Sequence, residues 1–181
     1  MTSLSPPPTP PAPFIVTAEL PRDVLAWADG LRRKHFPPER NHLAAHVTLF
    51  HSFAPSLRAE LLRTLGRYAQ DLAPVPARID GLMDLGKGTA LLVRSEGMQA
   101  LRARIADHFD TMLTAQDRGA KKLHITIQNK VDRGAALALQ RELAASLRPR
   151  DFAFTGLGLH LYRGAHWDEV KIWRFRGQEG G

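Results

Sequence analysis

Two short segments carry the residues best suited to chemistry. The pattern His-x-Thr-apolar occurs twice, at His46 to Leu49 and again at His124 to Ile127, each time inside an alternating, β-branched run. Such a run predicts a strand, and residues two apart on a strand point to the same side. Each segment is therefore predicted to present an imidazole and a hydroxyl side by side.

Two such strands facing one another would form a cleft with two histidines and two threonines. Imidazole titrates near neutral pH, so His46 and His124 could act as a general acid and a general base. The hydroxyls of Thr48 and Thr126 could donate hydrogen bonds to phosphate oxygens. The alternative is two unrelated strand histidines beside threonines that serve only strand formation. The match between the two copies favours catalysis at a phosphate.

Alternation extends the face of the second motif to two further residues. Gln128 and Lys130 continue the side of the strand that carries His124. Lys130 could supply positive charge to a phosphate. Alternatively, Lys130 is simply a solvent-exposed residue at the end of the strand.

Three aromatic residues are candidates for stacking on a nucleobase. Phe50 continues the side that carries His46, while Tyr162 and Trp167 lie near the end of the chain. Aromatic side chains can stack on any base. Core packing is the alternative for each of the three.

A metal site is not expected. His42, His46 and His51 are close in sequence, but an i, i+4 pair needs a helix, and His46 lies in a strand pattern. The chain has no cysteine, which excludes disulfides and cysteine-ligated zinc. It also has no phosphate-binding glycine loop. We therefore expect a chemistry that needs neither a metal nor another cofactor.

Composition limits the class of protein. The 181 residues are 44% hydrophobic, which is enough for one domain with a buried core. The net charge of +7 favours a polyanionic partner, although a general abundance of arginine explains it equally well. No apolar run is long enough to span a membrane, and no signal peptide is visible. We expect a soluble, cytoplasmic monomer with no membrane association.

The elements around the two motifs follow one order twice: strand, helix, motif strand, helix, strand. The motif strands are predicted at 45–52 and 123–131, and one long strand is predicted at 151–162. Such an internal repeat predicts two similar lobes that share a cleft. The chain is predicted to begin with a disordered proline-rich tail at 1–13 and to end with a frayed segment at 177–181. Between them lies one bilobal domain at 14–176. Its two halves are at about 14–86 and 89–163, and its final strand is at 168–176.

With these motifs, and with the repeat over about 14–176, the chain resembles the 2H phosphoesterase superfamily, which includes 2′-5′ RNA ligase-like proteins and cyclic phosphodiesterases. The resemblance implies a bilobal α+β fold with antiparallel sheets around a central groove. It also implies that one histidine activates water while the other protonates the leaving ribose oxygen. Lys130 stands where bacterial ligase-like members often carry an arginine, and lysine cannot make the two-pronged phosphate contact of arginine.

The expected function is hydrolysis of 2′,3′-cyclic phosphates, on RNA ends or on small cyclic nucleotides, without a metal. Three alternatives remain open. The first is 2′-5′ RNA ligation, the reverse direction of related chemistry. The second is a non-catalytic nucleotide- or RNA-binding module, although binding alone needs charge more than paired proton donors. The third, an adaptor that binds through the proline-rich tail, accounts only for the N-terminus.

Overall fold

Two four-stranded antiparallel sheets frame the molecule in the computed structural model, which describes residues 11–178. The first sheet has the strand order β2-β1-β7-β8 and the second has the order β5-β4-β3-β6. The predicted α+β class is confirmed. The strands are β1 (Phe14–Glu19), β2 (Val47–Phe53), β3 (Val75–Asp84), β4 (Thr89–Arg94), β5 (Leu123–Gln128), β6 (Arg150–Phe154), β7 (Gly156–Tyr162) and β8 (Trp167–Arg174).

In the described part of the chain four α-helices accompany the sheets, and local sequence explains where two of them begin. In the third helix the Ser95 side chain accepts a hydrogen bond from the Met98 amide, and in the fourth Asp132 accepts one from Ala135. Serine and aspartate are both residues that the N-cap position favours. The helices are α1 (Arg22–His35), α2 (Arg58–Asp71), α3 (Glu96–His108) and α4 (Arg133–Ser146).

Each half of the sequence repeat supplies a strand to the sheet that holds the other half's motif strand. The first half supplies β1, β2 and β3, but β3 pairs with β4 and β6 in the second sheet. The second half supplies β4 and β5, and its strand β7 pairs with β1 in the first sheet. Each sheet therefore contains one motif strand at its edge and strands from both halves of the chain.

The single long strand predicted at 151–162 is wrong. The run divides at Thr155 into β6 and β7, which belong to different sheets. At the break, the Thr155 amide donates to the Glu19 carbonyl, and its own carbonyl accepts from the Phe175 amide. The run is continuous in sequence because both parts are apolar, but each part pairs with a different strand.

The buried core is continuous between the sheets and the helices and includes the apolar residues of both motif strands, such as Val47 and Ile125. None of the helices within 11–178 has the length and apolarity that a membrane span requires. Most of the predicted tail and frayed end, residues 1–10 and 179–181, lies outside the described residues.

Candidate functional site

The two motif strands meet where the sheets approach each other. β2 and β5 are edge strands of different sheets, and they contact one another. His46 immediately precedes β2, and His124 is the second residue of β5. The structure therefore brings the two His-x-Thr segments to a shared boundary between the lobes.

The two motifs have the same pattern of burial. In each one the histidine and the threonine are half-buried, and the residue between them, Val47 or Ile125, is fully buried. The two histidines and two threonines thus stand on the accessible side of their strands.

The two imidazoles are held in the same way. His46 Nδ1 lies 2.8 Å from the carbonyl oxygen of Ala44, and His124 Nδ1 lies 2.9 Å from that of Lys122. A carbonyl can only accept, so Nδ1 carries the proton in both rings. This arrangement leaves Nε2 of each ring to accept or donate a proton.

Both motif strands are interrupted by a bulge at the same position. On β2, Thr48 pairs with Thr17 and Phe50 pairs with the adjacent Val16, so Leu49 is an extra residue. On β5, Thr126 pairs with Ala90 and Gln128 with Thr89, so Ile127 is the extra residue. A bulge of this kind reverses the side to which the following residues point.

The bulges overturn two predictions made from alternation. Phe50 does not share a face with His46: it is fully buried and packs on Phe53 with their ring centroids 5.1 Å apart. Gln128 is also buried, and its Oε1 accepts a hydrogen bond from the Thr89 hydroxyl. Neither side chain is placed to contact a substrate.

Lys130 and Tyr162 lie in different surroundings. Lys130 is exposed, has a positive φ of 58°, and lines a pocket together with His46 and Thr126. Tyr162 is 47% exposed and pairs with Trp167 in the β7–β8 hairpin. Among the described residues, Tyr162 does not line the pockets beside His46, whereas Trp167 does.

His46 separates two pockets of different character. The first, which we call the basic pocket, has a volume of about 580 Å³ and includes Arg32, Arg40 and Lys130 among its lining residues. The second, which we call the acidic pocket, has a volume of about 320 Å³ and includes Glu19, Glu169, Thr17, His160 and Trp167. His46 lines both pockets, and its ring centroid lies 4.6 Å from that of Trp167.

The surroundings of His46 favour its neutral form. Burial, together with the nearby positive charge of Arg32 and the rings of His160 and His124, lowers the pKa of His46 to about 4, whereas the hydrogen bond to Ala44 opposes the shift. A neutral imidazole with a free Nε2 can accept a proton at physiological pH.

Two buried arginines support the motif strands, and the sequence interpretation overlooked both. Arg32 is 3% exposed; its Nη1 donates to the carbonyl oxygen of Thr126, and its Nε donates to Asn41. Arg102 is 4% exposed, and its Nε donates to the carbonyl oxygen of Leu49, the extra residue of the β2 bulge. A signal existed for Arg32, because it continues the i, i+4 spacing of the buried Val24 and Ala28 along α1.

His51 takes part in a different contact from the one that a zinc site would need. Asp117, which is buried, accepts hydrogen bonds from the His51 Nδ1 and amide and from the Ser52 amide. This contact ties β2 to the segment that leads into β5. Within 11–178 no group of three or more histidine, aspartate or glutamate side chains is placed to hold a metal.

Comparisons with known proteins identify relatives of the whole fold. A family model described as the 2′-5′ RNA ligase superfamily matches residues 20–166. No curated protein matches the chain.

Among solved structures, TT0787 of Thermus thermophilus has a TM-score of 0.62 at 16% identity and covers 92% of this chain and 100% of its own. E. coli LigT in its apo form has a TM-score of 0.62 at 19% identity and covers 94% of this chain and 100% of its own. E. coli LigT complexed with 3′-AMP has a TM-score of 0.62 at 18% identity and covers 91% of this chain and 98% of its own.

Proposed function

The chain belongs to the 2′-5′ RNA ligase superfamily, and we propose that it is a phosphodiesterase that opens 2′,3′-cyclic phosphates by acid–base catalysis with His46 and His124. The observation that carries the proposal is the matched pair of imidazoles. Both rings bind a backbone carbonyl through Nδ1 and keep Nε2 for proton transfer, on strands that contact one another. Hydrolysis of a cyclic phosphate needs one proton acceptor and one proton donor at the same time.

The low pKa of His46 suggests a role for each histidine. Neutral His46 takes a proton from water at Nε2 while the water oxygen bonds to phosphorus. The bond from phosphorus to one ribose oxygen breaks, and that oxygen receives the Nε2 proton of His124, which enters the step as the imidazolium and leaves it as the neutral ring. The product is a phosphomonoester, and proton exchange with solvent resets the pair.

The threonines and the basic pocket would hold the phosphate during this step. Thr48 and Thr126 are half-buried beside the histidines and can donate hydroxyl hydrogen bonds. Lys130 lines the basic pocket on one side of His46 and offsets the charge of the phosphate. The 3′-AMP complex of LigT supports the proposal, because 3′-AMP carries its phosphate on a ribose oxygen.

Ligation of RNA through a 2′-5′ bond is the alternative activity, since a 5′-hydroxyl that attacks the same cyclic phosphate in place of water would join two RNA ends instead of releasing a phosphomonoester. A non-catalytic binding module would not require two imidazoles held in the same orientation.

The deciding assay is hydrolysis of 2′,3′-cyclic nucleotides, and of RNA with a cyclic end, with and without EDTA. We expect His46→Ala and His124→Ala each to lower kcat by roughly 10²–10⁴-fold. The double variant should be little worse than either single variant, because the two residues act as a unit. Full activity in the double variant, or inhibition by EDTA that added metal reverses, would refute the proposal.

A further inference from the structure

Three polar side chains converge above Gly158, next to His46. His160 Nε2 lies 3.0 Å from Thr17 Oγ1, and Thr17 Oγ1 donates to Glu19 Oε1 at 3.1 Å. The Thr17 hydroxyl donates its proton to the Glu19 carboxylate, so in its second hydrogen bond it accepts from His160 Nε2–H. The result is a directed chain of hydrogen bonds from His160 to Glu19.

Only a glycine at position 158 leaves room for this cluster. A Cβ at Gly158 would lie 2.5 Å from both Glu19 Oε1 and Thr17 Oγ1 and 2.8 Å from His160 Nε2. The three side-chain atoms therefore occupy the space that a side chain at position 158 would need, and Thr17, Glu19 and His160 line the acidic pocket.

The fold itself does not require the cluster. Strand pairing makes Ala90 in the second lobe the counterpart of Thr17, since each pairs with the threonine of its motif strand. Two residues after Thr17 is Glu19, whereas two residues after Ala90 is Leu92. On the other side of the strand, Thr17 pairs with Gly158 of β7, whereas Ala90 pairs with Met83 of β3. The same positions of the fold are thus apolar in one lobe and polar in the lobe that holds the acidic pocket.

A half-buried carboxylate needs a reason, because removing it from water is costly unless it is hydrogen-bonded. Burial raises the pKa of Glu19, and the neighbouring Glu169 raises it further, whereas the bond from Thr17 opposes the shift. Within the described part of the chain, the Thr17 hydroxyl is the only side-chain group that donates to this carboxylate. Glu19 therefore keeps acceptor capacity, and it is one of the residues that line the acidic pocket.

The acidic pocket also has a flat wall beside the proposed reaction site. The Trp167 ring lies 4.6 Å from the His46 ring and 5.8 Å from the His160 ring, measured between centroids. Proteins that bind single nucleotides stack the base on aromatic rings and read its Watson–Crick edge by hydrogen bonds. A ligand with its phosphate at His46 could place its base here.

We propose that the acidic pocket binds the nucleobase of the substrate and that Glu19 selects guanine. This inference rests on the proposed function, because it takes the phosphate to lie between His46 and His124. Guanine has two adjacent donors on its Watson–Crick edge, N1–H and the N2 amino group, and these match the two acceptor oxygens of a carboxylate. Adenine, cytosine and uracil each present an acceptor where guanine presents one of these donors, so the carboxylate would repel it.

The test is a binding series that does not depend on turnover. Dissociation constants are measured by calorimetry for 3′-GMP, 3′-AMP, 3′-CMP, 3′-UMP and 3′-IMP. Inosine monophosphate differs from guanosine monophosphate only by the absence of the N2 amino group. We expect 3′-GMP to bind about 5- to 100-fold more tightly than 3′-IMP, the discrimination typical of one two-pronged base contact.

The variant Glu19→Gln should remove this preference, because an amide replaces one of the two acceptors with a donor. Glu142→Gln, an exposed position on α4, is the matched control and should keep it. If Glu19→Gln does not fold, the wild-type series alone decides.

Equal affinity for 3′-GMP and 3′-IMP, or an unchanged preference in Glu19→Gln, would overturn the inference. Absence of binding by all five nucleotides would also overturn it. Failure of the proposed function is a separate result: guanine selectivity without hydrolysis of any cyclic phosphate would leave the pocket assignment in place.

Discussion

Arg32 donates a hydrogen bond of 2.7 Å from Nη1 to the carbonyl oxygen of Thr126, and this bond links helix α1 to the motif strand of the other half of the repeat. Arg102 on α3 makes the reciprocal contact, a bond of 2.9 Å from Nε to the carbonyl oxygen of Leu49 on β2. Helix α1 of the first half thus supports β5, the strand that carries His124. Helix α3 of the second half supports β2, the strand that follows His46. The relative position of His46 and His124 depends on these two contacts.

Replacing Arg32 should therefore affect the chemical step. In Arg32→Gln the carbonyl of Thr126 loses its partner, which should cost about 1–3 kcal/mol of stability. We expect a lower kcat with a smaller change in KM, since the two histidines move relative to each other. Arg33→Gln is the matched control, because Arg33 is the next residue on the same helix and is exposed. Equal effects of the two substitutions would contradict this positioning role.

Replacing Arg102 should cost more stability than replacing Arg32. Its guanidinium donates to three backbone carbonyls, those of Leu49, Asp117 and Gly119. We expect Arg102→Gln to lower the urea midpoint of unfolding by more than Arg32→Gln does. Arg104→Gln, at an exposed position on α3, should change it little. An unchanged midpoint for Arg102→Gln would show that these bonds do not stabilise the fold.

The pH dependence of activity should reflect the environment of His46. Burial and the nearby Arg32 lower its pKa to about 4, and a base must be neutral to accept a proton. The imidazole is neutral above its pKa, so kcat/KM should persist below the ordinary histidine pKa of about 6.5 and fall only as the pH decreases through about 4. Titration of the His46 ring by NMR gives an independent value. An acid limb at the ordinary histidine pKa, together with an unshifted NMR titration, would contradict the role of His46 as the base.

The threonine hydroxyls should contribute less than the histidines. Thr48→Val and Thr126→Val keep the shape and strand preference of threonine but remove the donor. A hydrogen bond to a charged group is worth about 1.5–3 kcal/mol, so we expect kcat/KM to fall about 10- to 100-fold. Thr48→Ser and Thr126→Ser keep the hydroxyl and should retain most of the activity. Valine variants with full activity would show that these hydroxyls do not bind the phosphate.

Gly158→Ala should disturb the acidic pocket. The new Cβ would collide with Glu19, Thr17 and His160, so these side chains must move. We expect weaker binding of 3′-GMP and a loss of stability of about 1–3 kcal/mol, as overpacking typically causes. Gly81→Ala is the control, because a Cβ there would lie 3.7 Å from Leu92, an ordinary contact. Unchanged nucleotide binding in Gly158→Ala would indicate that the cluster lies outside the base site.

The response to salt should distinguish RNA from a mononucleotide. The chain carries a net charge of +7, and binding of an RNA oligomer releases counterions from each phosphate that is neutralised. The affinity for an oligomer with a cyclic end should therefore fall more steeply with salt than the affinity for a cyclic mononucleotide. Equal slopes would show that only the terminal phosphate is contacted.

The two motifs, their strands and the repeat could be predicted from the amino-acid sequence, because each of these is a local pattern. Alternation over four residues is enough to put His46 beside Thr48 and His124 beside Thr126. The N-cap at Asp132 is local in the same sense, since its partner is three residues away. The order of the helices and strands from β1 to α4 follows from such signals, whereas the division of the run at 151–162 does not.

The neighbours of these residues depend on tertiary pairing and could not be predicted in the same way. The bulges at Leu49 and Ile127 come from pairing with β1 and β4, and one extra residue moved Phe50 and Gln128 from the groove to the interior. Arg32 resembles a surface residue in sequence, yet it is buried because its acceptor, the carbonyl of Thr126, comes from the other half of the chain. Likewise, Glu19 becomes part of a pocket only when β7 and β8 fold back beside β1, since the chemistry of a site depends on neighbours distant in sequence.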